Sequence, residues 1–138
     1  MTSLVRFGVS VERDLLNDFD DVIARKGYTN RSEAIRDLIR DHLVGQEWDD
    51  NHETVGTITF VYDHHVRDLT HRLTALQHDA QHLIQSGMHV HLDHDHCLEV
   101  LVLRGRGSEI QRVSDALLST KGVKHGKLTT TTTGKRLK

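Results

Sequence analysis

The chain has 138 residues, of which 36% are hydrophobic and 28% charged, and its formal net charge is −2 with histidine neutral. This composition is typical of a soluble globular protein of one domain or two small ones, and it excludes a large enzyme core. The apolar runs are far shorter than the ~20 residues that a membrane span needs, and the N-terminus lacks a signal peptide's layout. We therefore expect a cytoplasmic protein with no membrane contact.

Histidine and cysteine usage both favour metal binding. The 12 histidines are the compositional outlier, and such enrichment is a compositional sign of metal sites. The single cysteine cannot form an internal disulfide, so its thiol is free for a metal ion.

The first 46 residues predict a strand followed by two helices. Residues 4–11 alternate between apolar and polar side chains, which is the pattern of a half-buried strand. Helical spacing then runs from residue 15 to Gly27, a typical residue just past a helix C-terminus. Asn30 is a candidate N-cap for the second helix, with Glu33 three residues further on. The apolar stripe of that helix consists of Ile35, Leu38, Ile39 and Leu43.

This strand-helix-helix order over residues 1–46 resembles the ribbon-helix-helix DNA-binding fold. A unit of this size cannot bury its apolar faces alone, so we expect a dimer. In the fold it resembles, two such strands pair in the major groove of double-stranded DNA. One alternative is a helix-turn-helix in which both helices act without the strand, which would leave the alternation of residues 5–11 without a role. The other is a dimerisation module without DNA, because residues 1–45 hold seven Lys and Arg against eight Asp and Glu and so lack a broad basic patch. By this resemblance the residues that face bases would be Arg6, Gly8 and Ser10, and those that bring the second helix to a phosphate would be Asn30, Arg31 and Ser32.

Residues 47–54 are polar and acidic and are predicted to be a linker. The order of patterns over residues 55–133 is strand, helix, strand, strand, helix, strand. This βαββαβ order predicts a ferredoxin-like domain, so the fold class is α+β. Residues 134–138 are predicted to be a flexible basic tail.

The two middle strands of this domain predict a β-hairpin that carries a metal site. On a strand, residues i and i+2 share a face about 6.6 Å apart, so His89 and His91 can face one ion. The returning strand places Cys97 and Glu99 on the same face. Two imidazoles and a thiolate suit late divalent metals such as nickel, copper or zinc. The alternative is two exposed histidines and a buried cysteine without metal, and a four-coordinate ion needs one more ligand.

The two halves together resemble the nickel-responsive transcriptional regulators of the NikR family. The resemblance implies a C-terminal domain similar to the ACT fold, a homotetramer built as a dimer of dimers, and one Ni(II) per chain. It also implies that His78 of a neighbouring chain completes the ligand set of His89, His91 and Cys97. Independently of the resemblance, Glu99 on the hairpin is expected to support the orientation of a ligand. Arg67 matches a basic residue near DNA, and Glu33 and Asp37 match carboxylates that hold a second, weaker cation.

The expected function is therefore a nickel-dependent, DNA-binding repressor of nickel-uptake genes and not an enzyme. Two other classes remain open on the sequence. A small metalloenzyme or metal-storage protein would leave the fourth metal position open to water or substrate. An amino-acid-sensing regulator would have no need of Cys97.

Overall fold

The computed structural model describes residues 3–138 of the chain. These residues divide into two compact units, Met1–Arg40 and Asp41–Lys138, and each is described here by itself. None of the helices among the described residues is long and apolar enough to cross a membrane.

The first unit contains α1 (Arg13–Arg25) and the beginning of α2 (Arg31–Asp49). As predicted, Gly27 lies just past the C-terminus of α1, and it has a φ of 90°. The Gly27 N–H donates to the Ala24 carbonyl at 3.1 Å and the Tyr28 N–H to the Ile23 carbonyl at 3.0 Å, which is the Schellman arrangement that glycine favours. The predicted N-cap of α2 is also confirmed, since Asn30 Oδ1 accepts a hydrogen bond from the Glu33 N–H at 2.9 Å.

The strand predicted for residues 4–11 is not formed in the single chain. Residues 3–12 have no regular secondary structure, and their apolar side chains are exposed, 82% for Val5 and 68% for Phe7. A strand is stable only when a neighbour satisfies its backbone hydrogen bonds. Within the described residues this segment has no such neighbour. It would need a second strand to form a two-stranded ribbon.

The predicted linker at residues 47–54 is also different in the structure. Helix α2 continues to Asp49, and β1 begins at Glu53. The reason lies in Trp48, whose indole Nε1 donates to the Thr131 carbonyl at 2.9 Å and whose ring packs against Gly107. This packing, which lies wholly within the second unit, stabilises the last turn of α2 where the sequence predicted a linker.

The second unit has the predicted βαββαβ order. Its four strands form one antiparallel sheet in the order β2-β3-β1-β4, and β2 and β4 are therefore its edges. This is the ferredoxin-like arrangement expected from the sequence. The elements are β1 (Glu53–Asp63), α3 (Leu69–Asp79), β2 (Ile84–His91), β3 (His96–Arg106), α4 (Gly107–Leu118) and β4 (Val123–Thr131).

Both helices of this unit cover one face of the sheet. Alternate residues of β1 and β3 point to that face and meet α3 and α4 in a single core, as the period of two in a strand requires. The core members from the strands are Ile58, Phe60, Tyr62, Cys97, Leu101 and Leu103, and those from the helices are Leu69, Leu73, Ile110 and Leu117. The opposite face, here called the open sheet face, carries the apolar residues Val61, Val90, Leu98, Val100 and Val102, none of which is buried.

Helix α3 is shorter than the predicted helix of residues 64–84. Asp68, immediately before it, has a φ of 64°, a left-handed conformation that interrupts a right-handed helix. After Asp79 the chain turns through Ala80 and the buried Leu83 and enters β2 at Ile84, four residues before the predicted start. The burial of Leu83 explains the early exit from the helix.

Candidate metal centre

The hairpin of β2 and β3 places three metal-binding side chains together. His91 lies opposite Cys97 in the register and His89 lies opposite Glu99, so all four share the helix-covered face, as the sequence predicted. Ligand atoms of His89, His91 and Cys97 all lie within 4.8 Å of one another. Cys97 Sγ is 3.5 Å from His91 Nδ1. Two imidazoles and one thiolate at this spacing fit a late divalent ion such as nickel.

The three donors differ sharply in burial. Cys97 is fully buried, whereas His89 and His91 are exposed. Because β2 is an edge strand, His89 and His91 lie at a side of the sheet that none of the other described strands covers. That side is where a further ligand would have to enter.

Burial raises the pKa of the Cys97 thiol, and the negative charges of Glu99, Asp63 and Asp93 raise it further. In the metal-free protein the sulfur therefore carries its proton at neutral pH. Metal ligands must be deprotonated, so binding at this centre has to release that proton.

Glu99 connects the hairpin to the core and to α3. Its Oε1 accepts a hydrogen bond from the Tyr62 hydroxyl at 2.5 Å, and its Oε2 accepts one from Gln77 Nε2 at 3.0 Å. Burial and the bond to Glu99 raise the pKa of Tyr62, so the hydroxyl remains a donor. With both oxygens occupied, Glu99 supports the site rather than offering a free ligand, which matches the role expected from its position in sequence.

Tyr62 and Gln77 were not identified from the sequence as residues of this site. The alternation of β1 marks Tyr62 as a core residue, but its hydrogen-bond partner lies 37 residues further along the chain. Gln77 precedes the family-matched His78, which is the only local signal that could have suggested it. His78 itself is exposed on α3 and is not one of the residues that converge with Cys97.

The residues expected to contact bases all lie in the exposed segment of residues 3–12. Arg6, Gly8 and Ser10 are exposed there, and a Cβ added at Gly8 would meet no atom within 4 Å. The second unit carries Arg67, whose side chain is 96% exposed and whose Nε is 3.8 Å from Asp68 Oδ2. Arg6, Gly8, Ser10 and Arg67 are thus all accessible to a partner.

The start of α2 holds the residues expected at a phosphate. Asn30 is occupied as the N-cap, and Ser32 is exposed. The Arg31 guanidinium donates from Nε to Asp20 Oδ1 at 2.9 Å and from Nη2 to Asp20 Oδ2 at 2.8 Å. This two-pronged bond holds the pKa of Asp20 below its usual range, so the Arg31 side chain is tied to α1 in this structure.

The carboxylates suggested for a second cation already have cationic neighbours. Glu33 pairs with Arg36. Asp37 Oδ1 is 3.0 Å from Arg40 Nη1, and Asp37 Oδ2 accepts a hydrogen bond from the Tyr28 hydroxyl at 2.5 Å. Any further cation at these carboxylates would compete with these arginines.

Two family models divide the chain into an N-terminal DNA-binding unit and a C-terminal metal-binding domain, the second of which contains the His89, His91 and Cys97 cluster. The family model described as "NikR C terminal nickel binding domain" matches residues 55–131, and the one described as "Ribbon-helix-helix protein, copG family" matches residues 5–44. The chain belongs to the family of nickel-responsive transcriptional regulators. It is a DNA-binding regulator that uses Ni(II), and it is not an enzyme.

Full-length relatives agree with this assignment. The chain is 59% identical to a protein of Solibacter usitatus over 139 residues, covering 100% of each chain. It is 56% identical to proteins of Nitratidesulfovibrio vulgaris and Geobacter sulfurreducens, covering 99% of each. All three carry the provisional name nickel-responsive regulator. A solved structure of an uncharacterized protein from Thermotoga maritima shares the fold, with a TM-score of 0.52 and 18% identity over 56% of this chain and 96% of that one.

Proposed function

We propose that this regulator represses nickel-uptake genes when Ni(II) occupies a centre formed by His89, His91 and Cys97 of one chain and His78 of another. The proposal depends on one observation, the convergence of three soft donors at an exposed sheet edge. Three donors leave a four-coordinate ion incomplete. The imidazole of His78 has the right chemistry to complete the set and lies outside the cluster in its own chain.

The chain's own residues prepare this centre. Cys97 loses its proton when the ligand set is loaded, and Glu99, held by Tyr62 and Gln77, keeps the strand next to His89 in place. Nickel supplies a positive charge and a coordination geometry that join two chains. Residues that orient a ligand set in this way commonly affect metal affinity as much as weak ligands do.

A homotetramer built as a dimer of dimers is part of the proposal. Two apolar surfaces support it: the exposed alternating segment of residues 3–12 and the open sheet face. The first could pair with its copy as a two-stranded ribbon, and the second could pack against another sheet. The segment of the first unit would then form one subunit contact, and the open sheet face of the second unit would form the other.

On the DNA side, we assign base contacts to Arg6, Gly8 and Ser10. The ribbon formed by two chains fits the major groove of an operator, and the exposure of these residues supports that role. Because Gly8 has no side chain, sequence discrimination would come mainly from Arg6 and Ser10. Arg67 would add a charge contact to the DNA backbone.

The start of α2 would bind a phosphate through its backbone N–H groups. Asn30 is engaged in capping and Arg31 in its pair with Asp20, so the groups left for an anion are the first backbone N–H groups of α2, at Arg31 and Ser32. A second, weaker cation at Glu33 and Asp37 would have to displace the arginines that these carboxylates now pair with, which is why its affinity would be low.

Coupling between metal and DNA would pass through α3. Gln77 bonds to Glu99 on the hairpin of its own chain, and His78 is its neighbour, so the hairpin that carries the ligands of one centre also positions the imidazole that would complete another. Metal can raise DNA affinity only by stabilising the DNA-competent arrangement over the others. The helix that carries His78 is the element on which such a preference would act.

A complementation experiment tests the shared centre. The variants Cys97→Ser and His78→Gln are each titrated with Ni(II) alone and after co-expression, and the thiolate-to-nickel absorption band and operator affinity are recorded. If His78 is donated across chains, neither variant shows the band alone, and mixed assemblies regain it. If His78 serves its own chain, co-expression restores nothing, and the shared centre is wrong.

A separate variant tests the DNA contact. Arg6→Ala should remove sequence discrimination while the nickel band stays intact, because a bidentate arginine contributes about 1–3 kcal/mol of discrimination at a guanine. Equal weakening on operator and random DNA would instead make Arg6 a phosphate contact.

A further inference from the structure

A second group of metal-binding side chains lies outside the nickel centre. Ligand atoms of His65, His94 and Asp95 lie within 4.8 Å of one another, and all three residues are exposed. His65 Nε2 is 3.3 Å from Asp95 Oδ1, and His94 Nδ1 is 3.1 Å from the same oxygen. We propose that these residues form a second, weaker site for a divalent late transition metal ion, with zinc as the best match.

The backbone holds the two loops that carry this group. His65 follows β1 and the other two residues form the turn of the hairpin. The His64 N–H donates to the Asp95 carbonyl at 3.1 Å, and His64 Nε2 lies 2.7 Å from the His94 carbonyl oxygen. The Asp95 N–H in turn donates to Asp93 Oδ1 at 2.8 Å. The donors are thus brought together by bonds that do not use them, so little ordering is needed when an ion binds.

The donor set itself indicates which ions fit. Two imidazoles and one carboxylate without a thiolate form a nitrogen-oxygen set, which zinc accepts in tetrahedral sites with water as the fourth ligand. Both imidazoles face a single carboxylate oxygen. An ion at their meeting point would replace the hydrogen bond between His94 and that oxygen, and the 3.3 Å contact of His65 with it, by three metal bonds.

Neighbouring groups are excluded from the site by their own contacts. His96 Nδ1 is 3.0 Å from Asp93 Oδ1, and His96 Nε2 is 3.0 Å from Lys124 Nζ, so both nitrogens of that ring are engaged. The His64 ring lies between the two groups, 4.0 Å from the His65 ring and 6.1 Å from the His91 ring between centroids. The second site is therefore adjacent to the nickel centre but shares no donor with it.

The test is a zinc count on the full-length protein by equilibrium dialysis. We expect two Zn²⁺ equivalents per chain in the wild type and one in both His65→Gln and His94→Gln. Asp95→Asn should weaken the second equivalent without removing the first. The matched control is His42→Gln, an exposed histidine of α2 outside the group, which should keep both equivalents.

The nickel absorption band separates this proposal from the function proposed above. It should be unchanged in His65→Gln and His94→Gln, because Cys97 and its imidazole partners are intact. A single Zn²⁺ equivalent in the wild type, or a second equivalent that survives both substitutions, would overturn the second site. Loss of both equivalents together would also overturn it, since the histidines would then only support the nickel centre.

Discussion

At the scale of single residues, Cys97 decides what kind of metal centre the hairpin can form. It is the only sulfur donor among His89, His91 and Cys97, and it is fully buried beneath them. Without it the set would be two imidazoles, which bind many divalent ions without favouring a soft one. The chemistry of the site therefore depends on this residue more than on either histidine.

The first prediction is the loss of the thiolate signal in Cys97→Ser. A hydroxyl is a poor ligand at neutral pH and cannot produce a sulfur-to-nickel transition, so the absorption band should vanish. Nickel affinity should fall by about tenfold or more, because the loss of even a residue that only supports a ligand has an effect of that size. Absorption spectroscopy during a nickel titration measures both. His125→Gln, at an exposed histidine on β4, is the control and should keep the band. A band that persists in Cys97→Ser would exclude the thiolate from the site.

The second prediction concerns pH and the pair Asp20–Arg31. The Arg31 guanidinium lowers the pKa of Asp20 in the folded protein relative to the unfolded chain. A group with a lowered pKa stabilises the fold above its unfolded pKa, and this contribution is lost as pH falls through the folded value. Asp20→Asn should therefore lower the melting temperature at pH 7, and its difference from the wild type should shrink as the pH drops below about 4.

The control for this pair is Asp18→Asn, which removes the same charge from α1 at an exposed carboxylate. Both variants are followed by thermal unfolding across the pH range. An equal effect of the two substitutions at every pH would mean that net charge, and not the bond to Arg31, explains the stability change.

At the scale of secondary-structure elements, the space around a glycine decides whether its replacement by alanine stabilises or destabilises the protein. Gly126 on β4 faces the core, where an added Cβ would lie 2.1 Å from Leu118 Cδ2 and 2.9 Å from Phe60 Cβ. Gly45 lies inside α2, where an added Cβ would meet no atom within 4 Å. The same change from glycine to alanine thus meets a packed core at one position and open space at the other.

The third prediction follows from this contrast. Gly126→Ala should destabilise the protein by about 1–3 kcal/mol, because overpacking moves α4 away from the sheet. Gly45→Ala should stabilise it by about 1 kcal/mol, because alanine is the better helix former. Chemical denaturation measures both, each variant serving as the control for the other. Effects of the same sign would contradict this account of the two sites.

Elements also show where sequence reasoning succeeds and where it stops. The convergence of His89, His91 and Cys97 was predictable because the period of two is a local property of a strand. The bond between Gln77 and Glu99 was not, because it joins residues 22 apart through tertiary packing. The predicted start of α3 was wrong because Asp68, just before the helix, has a left-handed backbone conformation. An aspartate side chain alone does not predict that conformation.

At the scale of the whole molecule, one chain lacks partners for several of its surfaces. The alternating residues 4–11 predict a strand that is not formed among the described residues of a single chain, and in the proposed assembly a second copy supplies its hydrogen bonds. The ligand His78 was matched through the family alone, because no spacing rule links it to the hairpin. The strand pairing and the fourth ligand both depend on contacts between chains, so neither follows from the spacing of residues in one sequence.

The fourth prediction addresses assembly through the open sheet face. Val100→Glu introduces a charge among Val61, Leu98 and Val102, where burial against another sheet would desolvate it. We expect the proposed tetramer to dissociate to dimers, as measured by sedimentation or light scattering, with helix content unchanged. Gln81→Glu adds the same charge at an exposed turn and should leave the assembly intact. Tetramers that persist in Val100→Glu would place the contact on another surface.

The burial of Cys97 affects how readily peroxides oxidise its thiol. It is the only cysteine in the chain and is fully buried, and its raised pKa keeps it protonated in the metal-free state. Peroxides attack thiolates that they can reach, so the metal-free protein should resist both sulfenic acid formation and cross-linking between subunits. A cell under peroxide attack would thus keep a regulator that can still respond when nickel arrives.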